Sequence, residues 1–150
     1  MKKLTLLIAM TAMILSVGCK SSRRTAAAEE PASKLDAQVT WVLVKIQGEA
    51  VKYADGQPRV TLVVDPEGLM LSGSDGCNRY FGPYEEPEPG HIKVGDINAT
   101  KKGCPEELRK LPVRYMPLLK GADAYRLSRD KLELLREGLV VLTYEPQVNE

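Results

Sequence analysis

From residue 39 onward, hydrophobic positions recur in short alternating bursts, the period of a strand that buries one face. WVLVKIQ (41–47) is apolar and β-branched, and Gly48 closes it. RVTLVV (59–64) puts Val60, Leu62 and Val64 on one side, and Asp65-Pro66-Glu67-Gly68 follows. Proline presets φ at the second turn position and glycine suits the fourth. Leu69–Ser74 then returns, so residues 60–74 predict a hairpin. After the polar, proline-rich stretch 85–90, residues 91–97 alternate through Ile92 and Val94 and predict another strand. Residues 122–127, 131–135 and 139–144 predict three more, separated by Ser128-Arg129-Asp130 and Arg136-Glu137-Gly138. Short strands with frequent turns predict a closed or partly open antiparallel sheet.

One segment carries the helical period instead. Pro105-Glu106-Glu107 opens it, with proline early and acids at the positive end of the helix dipole. Leu108, Leu111, Tyr115 and Leu118 or Leu119 recur at helical spacing. Pro112 and Pro117 lie inside, and an interior proline removes a hydrogen bond and crowds the preceding turn. The expectation is a bent helix, or two short ones restarting at Pro112. With no internal repeat, one core and one domain over 39–145 are expected, followed by a short C-terminal tail, 146–150.

The first eighteen residues read as a sorting segment and stand outside the fold. Lys2 and Lys3 precede the apolar stretch 4–15, which is shorter than the roughly 20 residues a spanning helix requires. Leu15-Ser16-Val17-Gly18-Cys19 resembles a bacterial lipobox, with Ser16 where an aliphatic residue is usual. In such signals the peptidase cuts before a lipid-modified cysteine, here Cys19. The alternative is an ordinary secretory signal in which Cys19 is incidental. Residues 19–38 then form a lipidated cysteine and a polar tether of low hydrophobicity. Because Lys20, not aspartate, follows the cysteine, Gram-negative sorting rules point to the periplasmic face of the outer membrane.

Charge changes the picture little. The chain has 21 basic and 20 acidic side chains, and losing Lys2 and Lys3 tips the remainder to a slight negative balance. Nucleic-acid binding, which calls for a clustered basic face, is not expected. Arg23-Arg24 is a local exception within the tether. Three cysteines become two once Cys19 carries lipid, and an exported pair is expected to close in an oxidising compartment. Cys77–Cys104 is therefore read as a disulfide, with buried free thiols or a functional thiol as alternatives. Two cysteines and the lone His91 make no familiar zinc set, and no metal or cofactor is expected.

The pattern Trp41-x-Leu43-x-x-Ile46-x-Gly48, then Ser72-Gly73 through Gly76-Cys77-Asn78-x-Tyr80-x-Gly82-x-Tyr84, then Thr100-x-x-x-Cys104, resembles the META domain, the HslJ-like family of bacterial lipoproteins. The likeness runs over nearly all of residues 39–145. Gly103 stands where a bulkier residue usually precedes the second cysteine, and the prolines interrupt a segment that is generally a smooth helix. The resemblance implies a small α+β, mainly β fold: an incomplete, cracked antiparallel barrel with one short helix against it. Members have been linked to heat shock and drug tolerance, with no established enzymatic activity. No catalytic residue carries over. Gly73, Gly76 and Gly82 would permit tight backbone geometry, Asn78 would tolerate a left-handed conformation or close a turn, and Tyr80 and Tyr84 would fill the core from one strand face.

No nucleophile, base and orienting group come together in the sequence. His91 reads as solvent-exposed, Asp75 with Ser72 and Ser74 as turn residues, and Glu85, Glu86 and Glu88 as a solvated acidic loop. Asn98-Ala99-Thr100 spells a glycosylation acceptor, coincidental in a bacterial export context. The functional expectation is a non-enzymatic envelope lipoprotein, membrane-held through Cys19, that binds an envelope protein or an amphiphilic ligand and supports stress or drug tolerance. A pilot-like assembly role is the alternative, and a weak hydrolase or thiol-redox activity the third reading.

Overall fold

In the computed structural model, which describes residues 39–148, ten strands and one helix follow one another among the described residues. Residues 1–38, on which the expected leader, lipidated Cys19 and tether fall, lie outside them, and so does the end of the expected tail. The strands are β1 (Thr40–Ile46), β2 (Glu49–Ala50), β3 (Val60–Asp65), β4 (Met70–Asp75), β5 (Arg79–Glu85), β6 (Lys93–Val94), β7 (Asn98–Ala99), β8 (Ala124–Ser128), β9 (Lys131–Arg136) and β10 (Leu139–Pro146). The helix, α1 (Glu106–Lys120), stands between β7 and β8. All pairings are antiparallel, in the order β6-β5-β4-β3-β1-β10-β9-β8.

The sheet curls until its outer strands almost meet, but no full ladder joins them. A lone bridge between His91 and Ala124 makes the seam. The Ile92 N–H donates to the Asp123 carbonyl (3.1 Å) and the Tyr125 N–H to the Gly90 carbonyl (2.8 Å). The fold is thus an incomplete antiparallel barrel with one helix. Inward alternation fills its interior with Leu43, Leu62, Leu71, Leu132 and Leu142, each at most 1% exposed, around a tyrosine cluster.

Strands β3 and β4 pair in unbroken register from Val60↔Asp75 to Asp65↔Met70, the hairpin that the turn chemistry of residues 65–68 predicts. Gln47 and Gly48 both take positive φ (49° and 83°), as a two-residue hairpin turn requires. That turn creates β2, which its two exposed residues do not announce.

One expectation is decided and another corrected. Of the two alternatives for the helix, the single element holds and the pair restarting at Pro112 does not: α1 runs unbroken from Glu106 to Lys120. Pro112 and Pro117 cannot donate to the Leu108 and Val113 carbonyls, yet Tyr115 and Leu119 are fully buried and hold that face to the sheet. Tertiary packing outweighs a local cost of about 3 kcal/mol per interior proline. The strand expected over 91–97 shrinks to the two-residue β6, and β7 forms beyond that window, where no strand was expected. β6 pairs with the end of β5 (Tyr84↔Val94), whereas β7 pairs with its start (Tyr80↔Ala99). Between them the chain crosses Gly82, where a Cβ would come within 2.6 Å of the Asp96 carbonyl oxygen. The missing side chain at Gly82 makes room for that crossing.

Candidate functional site

The glycine-rich corner at residues 73–78 is organised from inside. Asp75 is buried, and its Oδ1 accepts the N–H groups of Cys77 (2.8 Å) and Asn78 (2.5 Å), closing the turn with its own side chain. Asn78 does not take a left-handed backbone; its side chain reaches across, and Oδ1 accepts the Lys102 N–H at 2.8 Å. Thr100 adds a reciprocal clamp: its Oγ1 accepts the Arg79 N–H (3.1 Å), while its own N–H donates to the Arg79 carbonyl (2.9 Å). These bonds seat residues 100–104 on the corner. There Cys77 and Cys104 are joined as a disulfide with Cα atoms 6.1 Å apart. Asn78 and Thr100 therefore position the second cysteine beside the first, and the bridge ties the β4–β5 corner to the entry of α1.

Gly73 has a different task. A Cβ there would stand 2.0 Å from the Thr61 carbonyl oxygen and 2.9 Å from the Tyr80 hydroxyl. The gap lets Tyr80 Oη pass over β4 and donate to Thr61 O at 2.8 Å. Tyr80 Oη also lies 2.7 Å from Tyr115 Oη, and Tyr144 Oη donates to Tyr115 Oη at 3.1 Å. One direction uses every proton once: Tyr144 to Tyr115, Tyr115 to Tyr80, Tyr80 to the carbonyl. All three rings are buried, and burial pushes each phenol well above its ordinary range. Ending on a carbonyl, the chain has no base to draw a proton, and it works as polar mortar between helix and sheet.

The other motif residues are also in the wall. Trp41 and Tyr84 are buried, each with a polar atom (Nε1 and Oη) that finds no partner among the described residues, while Gly48 sits in the β1–β2 turn. The groups considered for chemistry stay apart. His91 is exposed, with Nδ1 4.0 Å from Glu88. Glu86 accepts a hydrogen bond from Tyr125, whose phenol is pushed up to about 12 by burial first and by Glu86 second. No group of three or more His, Cys, Asp or Glu among the described residues could hold a metal ion.

Two grooves lie on the outside of the barrel. One groove of about 270 Å³ runs between the β1–β2 hairpin and α1. Ile46, Val51 and Leu111 form its apolar floor, and Lys52, Lys110 and Glu107 stand on its rim. An ion pair from Arg114 Nη2 to Glu49 Oε2 (2.8 Å) joins hairpin to helix. A second, of about 830 Å³, runs along β1 and the last strand, bounded by Val42, Val44, Arg59, Glu145, Gln147 and Val148. Sequence reasoning missed both grooves. Each is assembled from residues far apart in the chain, and no local pattern marks them.

A protein-family model described as the META domain matches residues 33–149. Among solved structures, a protein from Burkholderia xenovorans determined by NMR superposes with a TM-score of 0.62 at 24% identity, over 77% of this chain and 85% of that one. A DUF4847-family protein from Bacteroides vulgatus gives 0.53 at 13% identity, over 76% and 96%. At such identities the likeness concerns fold. A curated relative, the yeast (Saccharomyces cerevisiae) ABC transporter ATP-binding protein/permease PDR18, is 30% identical over 102 residues, and the match covers 64% of this chain but only 7% of that protein.

Proposed function

The chain belongs to the META-domain family, and from that premise we propose that it is a non-enzymatic envelope lipoprotein whose domain docks a protein partner. In this reading Cys19 carries the lipid, the polar tether gives reach, and the barrel is a rigid presenting surface on the periplasmic face of the outer membrane. A role in stress or drug tolerance follows as the consequence of stabilising that partner. The carrying observation is where the space lies. The barrel interior is occupied by Tyr80, Tyr115, Tyr144 and the leucines around them, whereas two grooves lie outside, between elements. An amphiphile carrier needs an apolar hollow; a docking module needs a firm scaffold with an amphipathic groove, and the groove at α1 offers an apolar floor with a charged rim.

Site-specific photo-crosslinking in the native envelope tests this. A crosslinker at Lys52 or at Lys110 should capture the same protein, and one at exposed Arg129, in the β8–β9 turn, should not. Capture of lipid alone from the groove, or equal capture from all three positions, would sink the proposal.

A further inference from the structure

Strand alternation gives β4 and β5 a shared outer face. Met70 lies across from Pro83, Ser72 from Phe81, and Ser74 from Arg79, all opposite to the buried Leu71, Tyr80 and Tyr84. Phe81 at its centre is 55% exposed, and Leu69, in the turn that leads into β4, is 46% exposed. Strand β7 sets Asn98 beside Phe81, and the Thr100–Arg79 and Lys102–Asn78 bonds bring the backbone that carries exposed Lys101 and Lys102 next to exposed Arg79. None of the four ion pairs among the described residues includes Arg79, Lys101 or Lys102. The acid at the far end, Glu85, is paired with Lys93. An exposed aromatic ring and aliphatic side chains thus adjoin a corner that carries three exposed cations outside those ion pairs.

We propose that this face is a membrane-contact surface that seats on anionic phospholipid. Aromatic rings favour the headgroup level, and basic side chains near an anionic surface each strengthen binding about fivefold. Three such cations and the ring give a weak, reversible binding that co-sedimentation at high lipid concentration detects. On a chain already held by lipid, however, the second contact is intramolecular and favoured by effective concentration. Its effect would be to orient the barrel rather than to retain it. The inference stands apart from the protein-docking reading, because none of its residues lines the groove at α1 and its test needs no partner.

The experiment is co-sedimentation of the secreted, unlipidated chain carrying Cys19→Ala with phosphatidylcholine vesicles, with and without phosphatidylglycerol. Binding is expected only to the phosphatidylglycerol vesicles, and it should fall steeply as salt rises. Lys101→Glu with Lys102→Glu should weaken it by at least about twentyfold, and Phe81→Ser several-fold, with circular dichroism unchanged. Arg23 and Arg24 contribute equally to parent and variants, so the differences read this face alone. No binding, equal binding to both vesicles, or binding indifferent to the charge reversal would overturn the proposal. Changes at these positions that alter a crosslinked protein partner but not vesicle binding would assign the face to protein instead.

Discussion

At the scale of single residues, the family motif is explained by what each side chain, or its absence, permits. Gly73 is the sharpest case, since its Cα faces a neighbouring carbonyl with no room for a methyl group. Gly73→Ala should cost about 3–5 kcal/mol, because β3 and β4 must part and Tyr80 loses its acceptor; urea denaturation would measure it, and a loss below the usual surface range would refute this account. The three central tyrosines make a second prediction. Their folded-state pKa values lie well above the ordinary tyrosine value of about 10, mainly through burial. Their stabilising contribution is complete below about pH 10 and is lost as pH climbs toward the folded values. Tyrosinate absorbance from these residues should therefore appear in the same transition as the loss of β-sheet circular dichroism. The inward placement of Tyr80 and Tyr84 was legible from their even spacing. The role of Asn78 was not, because its partner Lys102 is 24 residues away and nothing local announces it.

At the scale of elements, the β3–β4 hairpin could be read because alternation and turn chemistry agree over 60–74. The helix was legible in extent but not in continuity. Local rules weigh Pro112 and Pro117 without knowing that Tyr115 and Leu119 are sunk in the core. Replacing the exposed Pro117 by Ala restores a donor for the Val113 carbonyl and should raise stability by about 1–2 kcal/mol. A thermal melt decides this, and a lowered midpoint would mean that the proline sets the seating of Leu119. The strand over 91–97 was read too long because Ile92 and Val94 alternate, whereas β6 is the only strand there, and β7 lies beyond that window. The break comes from Gly82 on another strand, which that window does not contain.

At the scale of the whole molecule, the incomplete barrel follows from the strand pattern together with the family likeness, whereas the seam at His91–Ala124 and the two external grooves do not. They arise only when distant segments close up. The proposed anchorage is a property of the whole chain as well. Cys19→Ala should move the protein from the detergent-extracted membrane fraction to the soluble periplasmic fraction, and a variant still requiring detergent would end the lipoprotein reading. The domain's own architecture adds a mechanical corollary. The chain preceding Val39 feeds directly into β1, and β1 is no edge strand; it lies between β10 and β3. Any pull arriving from that side runs along β1 and loads the perpendicular hydrogen bonds of both neighbours in shear, so that they must give way together rather than unzip one at a time.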